Sequence, residues 1–280
     1  MDIPSREIIL SGYRHRYIDV GSGNKSLVLV HGVSSSLDIY EKVIPKFAEH
    51  YRVLAFDLLG FGESEKPPKE NYTIHFYAKL INEFIQKSGA LGEGKEVYLL
   101  GHSMGGKYAV ATTILYPESV QKLILSNTDG FLHVPHVIRA ASFWGVRHLV
   151  KKIVTRRAFV KKAMETVYYD ASHITEEHFE YNVRMVQDEA TFNTVMILNR
   201  NYKELDLART GLRRRINEIK IPTLIIWGEF DKFISPKCAF TAKQEIANSE
   251  LHIIKACGHA PMVEKHEEFA AVTLVFLEKP

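Results

Sequence analysis

Cysteine is scarce in this chain: 2 in 280 residues, Cys238 and Cys257, in unrelated contexts. That excludes a disulfide framework. No apolar run approaches the roughly 18 residues of a spanning helix. The opening stretch, M-D-I-P-S-R-E, has no apolar signal core. The expectation is therefore a soluble protein of a reducing compartment, the cytoplasm. A charge excess is also missing. The 36 Lys and Arg against 33 Asp and Glu leave only +3, which gives no argument for nucleic-acid binding. Apolar residues are present in ordinary supply, 46% against 25% charged, and this excludes wholesale disorder. The length suits one large α/β domain or two small ones.

Short apolar runs alternate with stretches of helical spacing. Residues 6–10 and 13–20 read as two strands joined by a turn at Ser11-Gly12. The runs at 26–30, 52–56, 96–100, 121–125, 223–227 and 251–254 read as buried strands. Helical spacing occupies 37–48, 74–87 behind a Thr73 cap, and 104–116 before Pro117. It returns from about Pro236 and from about Met262. Strands alternating with helices predict right-handed crossovers and a mostly parallel, eight-stranded sheet. Between 131 and 215 no β-like run occurs. That segment reads as an all-helical cap inserted between strands six and seven, with 1–130 and 216–280 forming the core.

The most informative string is Gly101-His102-Ser103-Met104-Gly105-Gly106, which follows a strand and opens a helix. G-x-S-x-G in that context is a nucleophile elbow, a tight turn that lifts the serine hydroxyl above the sheet. A side chain at Gly101 or Gly105 would collide across the turn. A serine hydroxyl needs a base near neutral pH. Among 13 histidines, His259 lies just beyond the last apolar run, at the carboxyl edge of a parallel sheet where Ser103 also lies. The base needs an orienting carboxylate. Asp231, after the run at 223–227, is on the same edge; Glu229 and Asp129 are rivals. A tetrahedral intermediate needs an oxyanion hole. The predicted donors are the Val33 N–H, after His31-Gly32, and the Met104 N–H, after the nucleophile.

These strings together resemble the α/β-hydrolase family, of the lipase/esterase-like kind with a helical cap. The resemblance rests on H-G at 31–32, D-L-L-G-F-G-E-S at 57–64 and G-H-S-M-G-G from Gly101, with W-G-E-F-D from Trp227 and G-H-A-P-M-V-E from Gly258. They stand in family order from about residue 26 to the end, the cap excepted. The resemblance implies Ser103 as nucleophile, Asp231 as acid and His259 as base, with no metal and no organic cofactor. It implies a structural turn for Asp57, Gly60, Gly62 and Ser64, and loop-organising roles for His102 and Glu264. A serine at 103 argues against the dehalogenase and epoxide hydrolase branches, which use an aspartate. The family's carbon–carbon hydrolases usually carry Gly-Pro-Gly after H-G and a Trp after the histidine. Here those places hold Val33-Ser34-Ser35-Ser36 and Ala260. The expected activity is hydrolysis of a carboxylic ester with an apolar acyl or aryl part. The alternatives are carbon–carbon hydrolysis of a vinylogous diketone, and a ligand sensor on a hydrolase scaffold.

Residues 131–215 are rich in aromatic side chains and methionine, and Phe131, Trp144, Tyr168 and Phe192 are candidates for the substrate pocket. The segment holds 15 Lys and Arg against 9 Asp and Glu, whereas the remainder holds 21 against 24. Between 139 and 162 there are 8 basic residues and no acid. Such a stretch suits a weak association with an anionic membrane surface.

Overall fold

The computed structural model describes residues 4–131 and 144–280. One sheet is built from β1 (Arg6–Leu10), β2 (Tyr13–Val20), β3 (Lys25–Val30), β4 (Arg52–Phe56), β5 (Glu96–His102), β6 (Lys122–Ser126), β7 (Thr223–Gly228) and β8 (Ser249–Ile254). Their spatial order is β1-β2-β4-β3-β5-β6-β7-β8. β2 is antiparallel to both of its neighbours, and every other pair is parallel. The parallel strands are continuous apolar runs because helices cover both faces. Strand β3 shows how its side chains divide. Val28 and Val30 enter one core with Phe56, Tyr77 and Phe84. Leu27 and Leu29 enter the other with Phe47, Phe269 and Phe276, as the two-residue period of a strand requires.

The helices are α1 (Ile44–Ala48), α2 (Ile74–Lys87), α3 (Met104–Leu115), α4 (Trp144–Val154), α5 (Arg157–Val167) and α6 (Glu176–Gln187). They continue with α7 (Glu189–Arg200), α8 (Tyr202–Leu205), α9 (Lys237–Glu245), α10 (Pro261–Glu264) and α11 (His266–Glu278). Thr73 caps α2 by accepting a hydrogen bond from the Phe76 N–H. Two helices expected as single pieces are divided. Residues 37–48 form a 3-10 turn, Leu37–Tyr40, and then α1. Pro45 lacks an N–H and is accommodated only in the first turn of α1, so the helix starts anew there. At the carboxyl end the chain breaks at Lys265, where φ is −130°, between α10 and α11.

Among the described residues, the regular structure between β6 and β7 consists of α4 to α8 and short 3-10 turns. This segment rests on loops at the carboxyl edge of the sheet. The His259 N–H donates to Val167 O at 2.7 Å. The Tyr181 hydroxyl donates to Ser36 Oγ at 2.9 Å. The segment ends in a 3-10 helix, Leu212–Glu218, whose Leu212 and Ile216 belong to the core beneath. Among the described residues, no helix is long and apolar enough to cross a membrane.

Candidate active site

Ser103 stands between β5 and α3 with φ 53° and ψ −124°. That conformation is strained for a residue with a side chain, and the turn around it explains why it is held. A Cβ on Gly101 would lie 2.5 Å from the Gly105 carbonyl oxygen, and one on Gly105 would overlap the carbonyl oxygens of Val30 and His31. The elbow is thus pressed against the end of β3. Ser103 Oγ lies 3.1 Å from His259 Nε2. His259 Nδ1 lies 2.8 Å from Asp231 Oδ2. All three side chains are buried.

The loop after β7 is shaped by Asp231 itself. Asp231 Oδ1 accepts the N–H groups of Phe233 and Ile234, each at 2.8 Å, an Asx turn that fixes the carboxylate. The Trp227 indole N–H donates to Ile234 O at 3.1 Å and closes the same loop. Asp231 Oδ2 accepts a second hydrogen bond, at 2.8 Å, from Asn127 Nδ2. Asn127 is fully buried just past β6, with φ 47°. Asn127 is absent from the residues expected at the site; its signal in the sequence is that of a polar residue following a buried strand at the sheet edge. The rival acids are engaged elsewhere. Asp129 pairs with Lys107 at 2.8 Å, and Glu229 with Lys255 at 2.7 Å.

Val33 follows a glycine that packs against Ser103. A Cβ on Gly32 would lie 2.9 Å from Ser103 Cβ. Neither the Val33 N–H nor the Met104 N–H has a hydrogen-bond partner among the described residues. Met104 opens α3, where first-turn N–H groups have no intrahelical acceptor. Both N–H groups are thus without a partner among the described residues, as a donor to an oxyanion must be before substrate binds.

His31 orders this loop. The Leu58 N–H donates to His31 Nε2 at 2.9 Å, so the ring proton is on Nδ1 and donates to Gly32 O at 2.7 Å. Burial lowers its pKa to about 4 from 6.5. A histidine with a depressed folded pKa gives stability that is complete above the unfolded value and is lost as pH falls toward the folded one. The window is therefore 6.5 down to about 4, and the loss is about 3 kcal/mol. Denaturant unfolding of wild type and His31→Gln should show wild type ahead at pH 7.5, with the gap narrowing at pH 4.5. A gap independent of pH would contradict the assignment.

Glu264 joins the histidine loop to the helical segment. Its Oε1 accepts the Gly258 N–H at 2.8 Å, and its Oε2 accepts the Tyr169 N–H at 2.7 Å. His102 packs against His259, ring centroids 4.9 Å apart. Burial first, then the nearby His259, push its pKa well below the usual histidine value. Asp57 holds the turn after β4, accepting the N–H groups of Leu37 and Glu63 at 2.7 and 2.8 Å.

Ser103 and His259 open into a cavity of about 420 Å³, with Met164, Tyr168, Phe233 and His102 among its walls. Of the four aromatic residues expected in the pocket, Tyr168 lines this cavity. Phe131 is buried in the core with the Arg213 guanidinium 5.7 Å from its ring, and does not line it. Phe192 is buried under Arg147 and Lys151 and does not line it either. The side chain of Trp144 lies outside the described residues. Charged residues of both signs, among them Glu41, Lys42, Glu177 and Arg184, also contribute to the wall.

A strained serine elbow on a mostly parallel sheet, with a histidine and an acid on the neighbouring strand ends, defines a hydrolase scaffold. The chain belongs to the alpha/beta hydrolase fold family, whose sequence profile matches residues 25–266. It is 29% identical, over 98% of its length and 91% of the relative's, to the 2-hydroxy-6-oxo-6-(2'-aminophenyl)hexa-2,4-dienoic acid hydrolase of Metapseudomonas resinovorans. It is 31% identical to the hydrolase YugF of Bacillus subtilis (strain 168), over 88% of this chain and 87% of that one. A crystal structure of a membrane phospholipase A superposes with a TM-score of 0.83 at 23% identity, covering 99% of this chain and 86% of that one. A serine hydrolase involved in carbazole degradation superposes with a TM-score of 0.80 at 26% identity, covering 98% of both chains.

Proposed function

We propose that the protein is a serine hydrolase that cleaves a carboxylic ester with an apolar acyl or aryl part. The reading is carried by the continuous hydrogen-bonded chain from Asp231 through His259 to Ser103, at 2.8 and 3.1 Å, opening into a cavity. In this reading Ser103 Oγ attacks the carbonyl carbon while His259 Nε2 takes its proton. The carbonyl oxygen, now an anion, is received by the Val33 and Met104 N–H groups. The tetrahedral intermediate collapses, His259 returns the proton to the leaving alcohol, and water cleaves the acyl-enzyme by the same route. Residues 131–215 act as the cap that excludes bulk water, and residues 1–130 and 216–280 act as the core. Hydrolysis of short- and medium-chain p-nitrophenyl esters tests the reading.

A second reading has a specific observation in its favour. The Metapseudomonas relative is a hydrolase of a 2-hydroxy-6-oxo-dienoic acid, a vinylogous diketone cleaved at a carbon–carbon bond. Loss of the dienol chromophore, set against p-nitrophenol release by the same preparation, separates the two. Faster turnover of the esters supports the first reading; faster turnover of the dienoate replaces it with the second.

The helical segment adds a partner to this proposal. Along α4, Val146, Leu149 and Ile153 are 42%, 61% and 43% exposed. Their spacing puts them on one face of a helix. Lys151 and Arg157 are paired with Glu189 and Glu180, whereas Lys152 and Arg156 have no ion-pair partner among the described residues. An apolar face with free cations beside it suits an anionic lipid surface. Vesicles containing acidic lipid should bind the protein at low salt and release it as salt rises, the screening length being about 8 Å at 0.15 M. Lys152→Gln with Arg156→Gln should weaken that binding. Vesicles that never bind would remove this partner.

A further inference from the structure

The turn that carries Val33 is held from the helical segment. β3 ends at Val30, and Val33 and Ser34 stand at the tip of the turn that follows. Among the described residues, no backbone group of Val33 or Ser34 has a hydrogen bond. Ser34 has φ 48°, a conformation uncommon for a residue with a side chain. Such a turn persists only where its surroundings hold it. On one side Gly32 packs against Ser103. On the other stands the buried Ser36, whose hydroxyl joins the turn to a chain of polar side chains.

The direction of that chain follows from its far end. Asp38 takes the Arg16 guanidinium in two hydrogen bonds, at 2.8 and 2.9 Å. Burial opposes the charge on Asp38, but Arg16 outweighs it and holds the carboxyl below its ordinary pKa. A carboxylate only accepts. Ser36 Oγ therefore donates to Asp38 Oδ2 at 2.8 Å, and it accepts from the Tyr181 hydroxyl at 2.9 Å. It also accepts the Asp38 N–H at 3.3 Å, so its one proton and both lone pairs are used. Arg16 in turn lies 3.6 Å from Asp57, the fully buried residue that holds the turn after β4. Tyr181 belongs to α6. A helix of the segment between β6 and β7 is thus tied into the core through a residue three places from Val33.

We infer that Tyr181 is a positioning residue for the reaction: acting through Ser36, its hydroxyl fixes the turn that aims the Val33 N–H at the carbonyl oxygen. The inference rests on the proposed hydrolytic reading for the role of Val33 as an oxyanion donor. Seating of α6 on the turn then sets how well the developing charge is received, while Tyr181 itself touches no reacting atom.

An aryl trifluoromethyl ketone tests it. Ser103 Oγ bonds to the ketone carbon, the carbonyl π pair moves onto oxygen, and the serine proton passes to His259 Nε2. The hemiketal oxyanion occupies the place of the transition-state charge. Fluorine NMR reads its affinity without turnover on wild type, Tyr181→Phe and Ser36→Ala. Tyr181→Phe removes one oxygen and keeps the ring. Both substitutions should weaken the ketone by about 10- to 100-fold, since misplacement of a site by about 1 Å costs up to about 100-fold. The kcat on p-nitrophenyl butyrate should fall by the same factor with KM little changed. Calorimetry of the intact ester in the Ser103→Ala background should show affinity within about twofold, because the ground state carries no anion for Val33 to receive. A residue that only shaped the cavity wall would move ester and ketone binding together. Ketone affinity untouched by both substitutions, or ester affinity lost in step with it, would overturn the inference, as would a wild type that forms no hemiketal. A hemiketal weakened by both substitutions in a protein that hydrolyses no ester would support the positioning role and remove the ester reading.

Discussion

Ser103→Ala should lower kcat on a p-nitrophenyl ester by about 10⁶-fold, the scale on which removal of a triad serine acts. The thiol nearest the histidine does not take its place. Cys257 is buried behind the histidine loop, and burial pushes its thiol far above the ordinary range. The remaining rate would come from the oxyanion donors and from binding. KM should change little, because the oxygen lost is a reacting atom and not an anchor. The elbow supplies a second, independent check. Ser103→Gly should be as inactive as Ser103→Ala yet unfold at a higher temperature. Glycine adopts φ 53° and ψ −124° freely, relieving strain of about 1–3 kcal/mol. Equal melting temperatures would mean that the elbow stores no strain.

Asp231→Asn should lower kcat by about 10⁴-fold with the fold intact. An amide at this position still satisfies the Phe233 and Ile234 N–H groups through its oxygen. Its nitrogen, however, meets His259 Nδ1 and Asn127 Nδ2, both at 2.8 Å from the present Oδ2. Two donors then oppose each other, and the imidazole loses its orientation or its productive tautomer. Circular dichroism and thermal melting should remain near wild type while turnover collapses. A loss of tenfold or less would move the orienting role to another group.

Asn127 bears on which of the two candidate acids faces His259. The end of β6 and the end of β7 are adjacent in the sheet, so either could present a carboxylate to His259. In this chain the residue after β6 is an amide that donates to Asp231, and Asp129, two residues further on, is held by Lys107 on the side of α3. From the sequence both carboxylates were admissible, since each follows an apolar run. What separates them is lateral position, and spacing along the chain does not encode it.

The strands were legible because burial on both faces demands continuous apolar runs, as in residues 27–30 and 223–227. The turn around Ser103 was legible because its glycines are sterically required. The aromatic side chains of the helical segment were not. Phe131, Tyr168 and Phe192 are all aromatic, and each is at least nine-tenths buried. Only the packing of one helix on another turns Tyr168 toward the serine and leaves Phe192 beneath two cations. The role of His31 was hidden for the same reason. Its partner, the Leu58 N–H, is 27 residues away and is brought close by the pairing of β3 with β4.

In the proposed reaction Ser103 becomes acylated. Rapid-quench mass spectrometry of the protein mixed with excess p-nitrophenyl ester tests it most directly. The expected result is a burst of p-nitrophenol approaching one per protein and an acyl mass on the peptide that contains Ser103, with both absent from Ser103→Ala. Turnover without an acyl adduct at Ser103, or an adduct that persists in Ser103→Ala, would contradict it.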